Sequence, residues 1–220
     1  MTFVRGSKLR TERQTVITDT EFEEATNKAT EIKDTFLKFR ASAILSILRL
    51  SGKRRTEIAM LALGNFKIED KSLKVTFILE KKRKGNILSK TSLKSIPLSD
   101  PLTKPILEYL EYLNKLDPKP KFFLPRAKSV FGHIIISRDA HISGRQVFNL
   151  VRGLSDSIWP HLFRETVASD IVKEDNSIIA AFKVQRRLDL EDFRTGFRYL
   201  KRFAADIIMK EEEKLKQELA

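Results

Sequence analysis

Residues 160–168 read Pro160-His161-Leu162-Phe163-Arg164-Glu165-Thr166-Val167-Ala168. Proline favours the first position of a helix, because its φ is already helical and its missing N–H is not needed there. His161 and Arg164 are three residues apart, a spacing that puts both side chains on one helical face. The stretch therefore predicts a helix that presents an imidazole and a guanidinium to a common point.

Two other stretches combine polar groups in a similar way. Ser51-Gly52-Lys53-Arg54-Arg55-Thr56-Glu57 follows an apolar run and places arginines just after a glycine. Phe193-Arg194-Thr195-Gly196-Phe197-Arg198-Tyr199-Leu200 carries a late tyrosine. Taken singly, an arginine pair is usually a solvated face and a tyrosine is usually packing, as we expect for Tyr109 and Tyr112. None of the three stretches decides a function alone.

The hydrophobic pattern predicts a mainly α protein with a small antiparallel β-sheet, an α+β fold. Thr18 and Glu21 have capping-box spacing, so a helix should begin near Asp19, and helical spacing continues to Phe36. Further helices are predicted over 44–50, 57–63, 105–113 and 143–152, from Pro160, and over 207–220. The β-branched run 73–79 and the segment 95–98 predict strands, with the basic run 81–86 as the turn between them.

Composition narrows the class of protein. The 220 residues carry a net charge of +13, which favours a polyanionic partner and nucleic acid first. There is no cysteine, and the three histidines lack metal-ligand spacing, so we expect no cofactor and no metal. No apolar run approaches the length of about 20 residues that a membrane helix needs, and no signal peptide is evident. We expect a cytoplasmic protein without a membrane partner.

The three stretches together resemble the tyrosine recombinase (phage-integrase) family. Ser51 to Glu57 matches the family's first arginine box, T-G-x-R-x-x-E, with serine for threonine. Pro160 to Ala168 is similar to the second box, P-H-x-L-R-H-x-x-A, and Thr195 to Leu200 to the nucleophile box, T-T-x-x-Y-L. The segment 71–98 resembles the β-turn-β unit that carries the family's catalytic lysine. Four matches in the right order, over about residues 17–205, are much more specific than any one of them.

The resemblance implies cleavage and rejoining of double-stranded DNA at a recombination site through a covalent 3′-phosphotyrosyl intermediate. Tyr199 would be the nucleophile, and Arg54 and Arg164 would clamp the charge that builds on the phosphate oxygens. His161 would act as general base. The leaving oxygen would take a proton from Lys82, with Lys84 as the alternative. Glu57 would orient an arginine, and further DNA contacts are expected from Lys53, Lys81, Arg83 and Arg145.

Two positions depart from the family pattern. The register gives Leu188-Asp189-Leu190 where the family carries L-G-H or L-G-W, so Leu190 replaces a hydrogen-bond donor. Glu165 stands where a histidine is usual. These departures leave a second hypothesis open: a DNA-binding protein on a recombinase scaffold with impaired or lost catalysis. RNA binding is a weaker third hypothesis, because no aromatic stacking motif supports it.

The same resemblance predicts how the chain is organised. Residues 1–16 are expected to form a flexible basic arm, 17–205 the catalytic domain, and 206–220 an amphipathic helix that could dock on a neighbouring protomer. The matching segment begins so early that we expect no N-terminal core-binding domain. The expected assembly is a homo-oligomer, a tetrameric synapse on DNA.

Overall fold

The computed structural model describes residues 16–83, 86–175 and 177–218; for 80–83, 86–89 and 206–218 it describes the backbone alone. The predicted arm, residues 1–16, therefore lies outside the described residues except for Val16. The chain folds as eight helices and five strands over the described ranges. Within them, no helix is both long and apolar enough to cross a membrane.

The first helices confirm most of the predicted starts and stops. Helix α1 (Asp19–Thr30) begins at a Thr18–Glu21 capping box, and α2 (Thr35–Ser51) ends at Gly52 with φ 61°. The predicted helical spacing through Phe36 is wrong as a single helix, because Asp34 accepts a hydrogen bond from the Leu37 amide and starts α2 anew. The short helix predicted over 57–63 is displaced to α3 (Arg55–Ala59), followed by a 3-10 turn over Leu63–Asn65.

The predicted antiparallel sheet is present and has one more strand than expected. Its order is β1-β2-β3, formed by Phe66–Glu69, Ser72–Arg83 and Asn86–Pro97. The register pairs Ser72 with Pro97 and Arg83 with Asn86, so the paired strands continue through most of the run predicted as a turn. A second hairpin, β4 (Pro125–Val130) with β5 (His133–His141), was not predicted.

The remaining helices follow the sheet in three groups. Helix α4 (Thr103–Asn114) lies between the two sheets in the chain, and α5 (Gly144–Leu154) begins at a Ser143–Gln146 capping box and runs past Gly153. Helices α6 (Pro160–Glu174), α7 (Ile178–Leu188) and α8 (Phe193–Glu218) complete the chain. The separate helix predicted to begin at Ile207 is the second half of α8, because no break follows Tyr199.

Helix α6 joins two hydrophobic clusters. Its first half, with Leu162 and Phe163, packs into the larger cluster built around α2, β2 and α4. Its second half, with Val167 and Val172, packs with α7 and α8 in the smaller cluster. A helix buried on most of its surface is held rigidly in place. The residues at the start of α6 are thereby fixed at the junction of the two clusters.

Candidate active site

Arg54 is positioned by the first turn of α3. Its backbone lies at the N-terminal cap, where the Arg54 amide donates to Glu57 Oε2 at 2.8 Å. The other carboxylate oxygen, Oε1, accepts from Arg54 Nη1 at 2.7 Å. The Glu57 side chain is 7% exposed and that of Arg54 is 44% exposed. A buried carboxylate thus holds a guanidinium that still faces solvent, in agreement with the expected orienting role of Glu57.

Arg164 is buried where α6 meets the ends of α2 and α7. Nη1 donates to the Gly52 carbonyl at 3.0 Å, and Nη2 donates to the Leu188 carbonyl at 2.5 Å. The pKa of Arg164 is lowered, first by burial and then by the nearby charge of Arg54. Two guanidinium groups near enough for one to lower the pKa of the other favour the binding of an anion beside them.

His161 and Tyr199 meet at a carboxylate that the family pattern does not predict. Glu165 Oε1 lies 3.1 Å from His161 Nε2 and accepts a long hydrogen bond of 3.5 Å from the Tyr199 hydroxyl. Glu165 Oε2 pairs with Arg202 of α8 at 2.9 Å. The expected base and the expected nucleophile therefore share one oxygen atom of Glu165.

The surroundings of Tyr199 keep its phenol protonated. Burial raises the pKa of Tyr199, and the Glu165 carboxylate raises it further, because both disfavour a phenolate. The charge of Arg164 acts in the opposite direction and lowers it. A positive charge that offset Glu165, or a base that accepted the proton, would be needed before the phenol oxygen could attack.

The position of Tyr199 depends on a close contact between α7 and α8. Gly196 lies one turn before Tyr199, and a Cβ built at Gly196 would lie 2.4 Å from the Ala181 carbonyl oxygen. Only glycine permits this approach of one helix backbone to another. Phe193 stacks on Phe182 of α7, with ring centroids 4.2 Å apart, and secures the start of α8.

The structure corrects the prediction that Lys53 contacts DNA. Its side chain is fully buried, and its Nζ forms an ion pair with Asp189 and donates to Ser92 Oγ at 3.0 Å. Burial lowers the pKa of Lys53 to about 8, although Asp189 acts against that effect. The prediction was wrong because the box position between Gly52 and Arg54 points inward, which charge alone could not indicate.

The other predicted residues are placed in different ways. Lys84 lies outside the described residues, and the side chains of Lys81, Lys82 and Arg83 also lie outside them, although their backbones end β2. The choice between Lys82 and Lys84 therefore stays a prediction. Arg145 is exposed in the first turn of α5, with its guanidinium 5.3 Å from the Phe148 ring centroid. Leu190 is partly buried against the smaller cluster.

Sequence reasoning missed the roles of Glu165 and Asp189. In the sequence Glu165 is only a departure from the family's usual histidine, yet in the structure its carboxylate contacts His161, Tyr199 and Arg202. Asp189 was noted only as part of an altered motif, yet it accepts from Lys53, Ser92 and Lys94. The sequence did contain a signal for both residues. Glu165 replaces the histidine and Asp189 the glycine of the family's motifs, and an acidic residue inside a basic motif indicates a cationic partner.

Comparison with solved structures gives matches at low identity. The XerH site-specific recombinase bound to difH substrate, in a pre-cleavage complex, has a TM-score of 0.60 and 14% identity over 90% of this chain and 54% of that chain. XerA recombinase has a TM-score of 0.61 and 15% identity, over 90% of this chain and 65% of that chain. The Tn1549 transposon integrase, in complex with a circular intermediate DNA, has a TM-score of 0.52 and 12% identity, over 86% of this chain and 62% of that chain. The chain spans about half to two thirds of the length of these proteins.

No family model matches the sequence, and no curated protein matches it. The similarity to known proteins therefore lies in the three-dimensional structure. The chain has the α+β fold of the tyrosine recombinases, as the resemblance of its motifs predicted.

Proposed function

We propose that this protein is a site-specific DNA recombinase that cleaves and rejoins double-stranded DNA through Tyr199. The observation that carries the proposal is that Arg54 and Tyr199 both lie close enough to the Arg164 guanidinium to act on its charge: Arg54 lowers the pKa of Arg164 and Tyr199 raises it. Two guanidinium groups beside a phenol form a site suited to a phosphodiester and an oxygen nucleophile.

The proposed reaction conserves the energy of the cleaved phosphodiester bond in a covalent bond to the protein. The Tyr199 oxygen forms a bond to phosphorus as the bond from phosphorus to the 5′-oxygen breaks, and the DNA strand stays attached by its 3′-phosphate. Arg54 and Arg164 neutralise the charge that builds on the non-bridging oxygens. His161 takes the phenol proton, and a lysine of the β2–β3 hairpin, Lys82 or Lys84, protonates the leaving oxygen. Reversal of these steps rejoins the strand.

Three further parts of the proposal concern the assembly. The neighbours XerH and Tn1549 integrase were solved with DNA, which supports DNA as the partner of this fold. We propose residues 17–205 as the catalytic domain and a homo-oligomer, a tetrameric synapse, as the active form. The second half of α8 is proposed to dock on a neighbouring protomer in that assembly.

Covalent trapping tests the proposal. The protein is incubated with a pool of nicked duplexes, in which a released short fragment prevents rejoining, and the products are separated under denaturing conditions. We expect a protein–DNA band with the wild type and none with Tyr199→Phe, because the phenol oxygen is the only atom removed. Tyr112→Phe is the matched control, since Tyr112 packs against Phe36 and Phe39 away from the site.

The alternative is a DNA-binding protein on the same scaffold with impaired or lost catalysis. The apolar side chain of Leu190 and the raised pKa of Tyr199 favour it. Binding of the duplex pool by wild type and Tyr199→Phe, with no covalent band from either, would support this alternative. A covalent band that persists in Tyr199→Phe would show that another residue is the nucleophile.

A further inference from the structure

Backbone carbonyls from two segments of the chain accept hydrogen bonds from the guanidinium of Arg164. One ends α2 and supplies the Gly52 carbonyl, and the other ends α7 and supplies the Leu188 carbonyl. Each Nη nitrogen of Arg164 donates to a different segment. The direction of the guanidinium therefore depends on how the two segments lie relative to each other.

The residues that immediately follow these carbonyls form an ion pair. Lys53 follows Gly52, Asp189 follows Leu188, and Lys53 Nζ donates to Asp189 Oδ2. Asp189 Oδ1 also accepts from Ser92 Oγ at 2.8 Å and lies 3.3 Å from Lys94 Nζ. The ion pair thus joins the two segments directly and ties both to β3.

The backbone of Asp189 indicates that its side chain is needed there. Asp189 ends α7 in the left-handed conformation, with φ 49°, where glycine is the usual residue. An aspartate at this position is strained relative to glycine. The hydrogen bonds that its carboxylate accepts from Lys53, Ser92 and Lys94 offset that strain.

The same ion pair is a poor source of stability. The Lys53 side chain is 0% exposed and lies with its Nζ 4.8 Å from the Phe77 ring centroid. Removing an ammonium group from water costs more than a single carboxylate usually returns. A contribution to geometry accounts for the pair better than a contribution to the free energy of unfolding.

We propose that the Lys53–Asp189 ion pair is a positioning device that fixes the Gly52 and Leu188 carbonyls and thereby aims the Arg164 guanidinium. Its effect on cleavage rests on the proposed function, whereas its effect on Arg164 does not. Lys53 and Asp189 are positioning residues, because they act on the phosphate site through Arg164.

Nuclear magnetic resonance of the arginine side chains measures this positioning without DNA. The Arg164 signals are assigned by their loss in Arg164→Lys. In the wild type, we expect resolved Nη protons that exchange slowly with water, because both nitrogens are held by carbonyls. In Asp189→Asn, we expect that exchange to be about tenfold faster, the change that the loss of one charged hydrogen bond allows.

A second variant removes both charges together. Lys53→Met with Asp189→Gly keeps a long side chain at 53 and gives the left-handed position the residue that prefers it, so we expect the fold to be retained. We expect the same faster exchange of the Arg164 protons as in Asp189→Asn. Asp175→Asn is the control, because it breaks the Asp175–Lys183 ion pair near the other end of α7 and should leave Arg164 unchanged.

The same variants are compared in covalent trapping with the nicked duplex pool. We expect folded Asp189→Asn to cleave about tenfold to a hundredfold more slowly than the wild type, with DNA affinity changed less than about twofold. Slow exchange and wild-type cleavage in either folded variant would overturn the positioning role. Faster Arg164 exchange in Asp189→Asn, with no cleavage by the wild type, would leave the positioning role standing and remove the proposed function.

Discussion

Glu165 is the residue with the largest expected effect on Tyr199, the proposed nucleophile. Its carboxylate contacts His161, Tyr199 and Arg202, and it raises the pKa of Tyr199. A bound phosphate would also be repelled by this negative charge. Glu165 thus opposes the first step of the proposed reaction, and the Arg202 guanidinium that pairs with its Oε2 offsets only part of this effect.

Replacing Glu165 by glutamine tests this opposition. The raised pKa of Tyr199 makes the phenolate scarce at neutral pH, so trapping should accelerate as pH rises. Glu165→Gln removes a charge that disfavours the phenolate, so the acceleration should move to lower pH and the rate at pH 7 should rise by up to about tenfold. The measurement is the rate of covalent trapping between pH 6 and 9.

Asp170→Asn is the control for this variant, since Asp170 lies on the same helix and pairs with Arg49 instead. A slower rate in Glu165→Gln at every pH would contradict the prediction. That result would mean that Glu165 accepts the phenol proton itself.

Lys53 gives a prediction about stability that is independent of DNA. Its pKa is about 8 in the folded protein, against 10.5 for an unperturbed lysine, so the unfolded chain binds more protons between these values. The free energy of unfolding that Lys53 contributes should therefore rise as pH increases from about 8 to 10.5. Below pH 8 the buried charge is present and its full cost is felt.

Denaturant unfolding at several pH values measures this contribution as the difference between the wild type and Lys53→Met. The free energy of unfolding of the wild type should increase relative to that of Lys53→Met as the pH rises from about 8 to 10.5. Lys74→Met is a suitable control, because Lys74 is only partly buried and its pKa is raised by Glu69 and Asp70. A difference that stays constant with pH would show that the pKa of Lys53 is not lowered in the folded protein.

At the scale of the elements, the contact between α7 and α8 determines where the tyrosine lies. The two helices approach at Gly196, and the Tyr199 and Phe203 rings on the next turns lie nearly parallel, 6.2 Å apart. Because α8 is one continuous helix, any shift at Gly196 is carried to Tyr199. The helix that carries the proposed nucleophile is thus placed against α7 by one glycine.

Gly196→Ala should displace Tyr199. The added Cβ would meet a backbone oxygen, which cannot move away as a flexible side chain can. We expect a loss of about 1–3 kcal/mol in the free energy of unfolding and a slower trapping rate in the molecules that remain folded. Thermal unfolding and covalent trapping measure the two effects.

Gly153→Ala should have the opposite effect on the free energy of unfolding. A Cβ at Gly153 would meet nothing within 4 Å, and Gly153 lies inside α5. Alanine there should stabilise the protein by about 0.5–1 kcal/mol, because it reduces the freedom of the unfolded chain. Equal effects of the two substitutions would argue against a close helix contact at Gly196.

At the scale of the whole molecule, the excess of positive charge should dominate the affinity for DNA. A net charge of +13 attracts a polyanion regardless of sequence, and each phosphate contact releases counterions when it forms. The predicted contact residue Arg145 is exposed at the start of α5, beside Arg55, whose guanidinium lies near the same Phe148 ring. This end of α5 is therefore a candidate part of the DNA surface.

The salt dependence of binding tests this candidate. The dissociation constant for a duplex should rise steeply with salt, and Arg145→Ala should lower the slope of the logarithmic plot by about one. Lys104→Ala is the control, because Lys104 is exposed on α4 and faces Glu108 at 3.8 Å. An equal change in slope for both variants would mean that general charge, and not a contact at α5, is being measured.

The α+β class and much of the site could be predicted because local patterns carry them. The Thr18 and Ser143 capping boxes, the proline at the start of α6 and the strand at 73–79 each depend on neighbours in the sequence. The motif residues Arg54, Arg164 and Tyr199 were recognisable by the resemblance of their surroundings to the family's motifs. The hairpin β4–β5 was missed because its strands lack regular alternation of apolar and polar residues: the three isoleucines of β5, Ile134 to Ile136, are consecutive.

The sequence by itself determined the basic character of the protein, the order of its motifs and the starts of α1, α5 and α6, because charge and local hydrogen bonding are set by adjacent residues. Only the tertiary structure decided that Lys53 is buried against Asp189, that Glu165 lies between His161 and Tyr199, and that two backbone carbonyls hold Arg164. These contacts join residues that are distant in the chain or fix which way a side chain points. Their energies depend on burial, which no local pattern specifies.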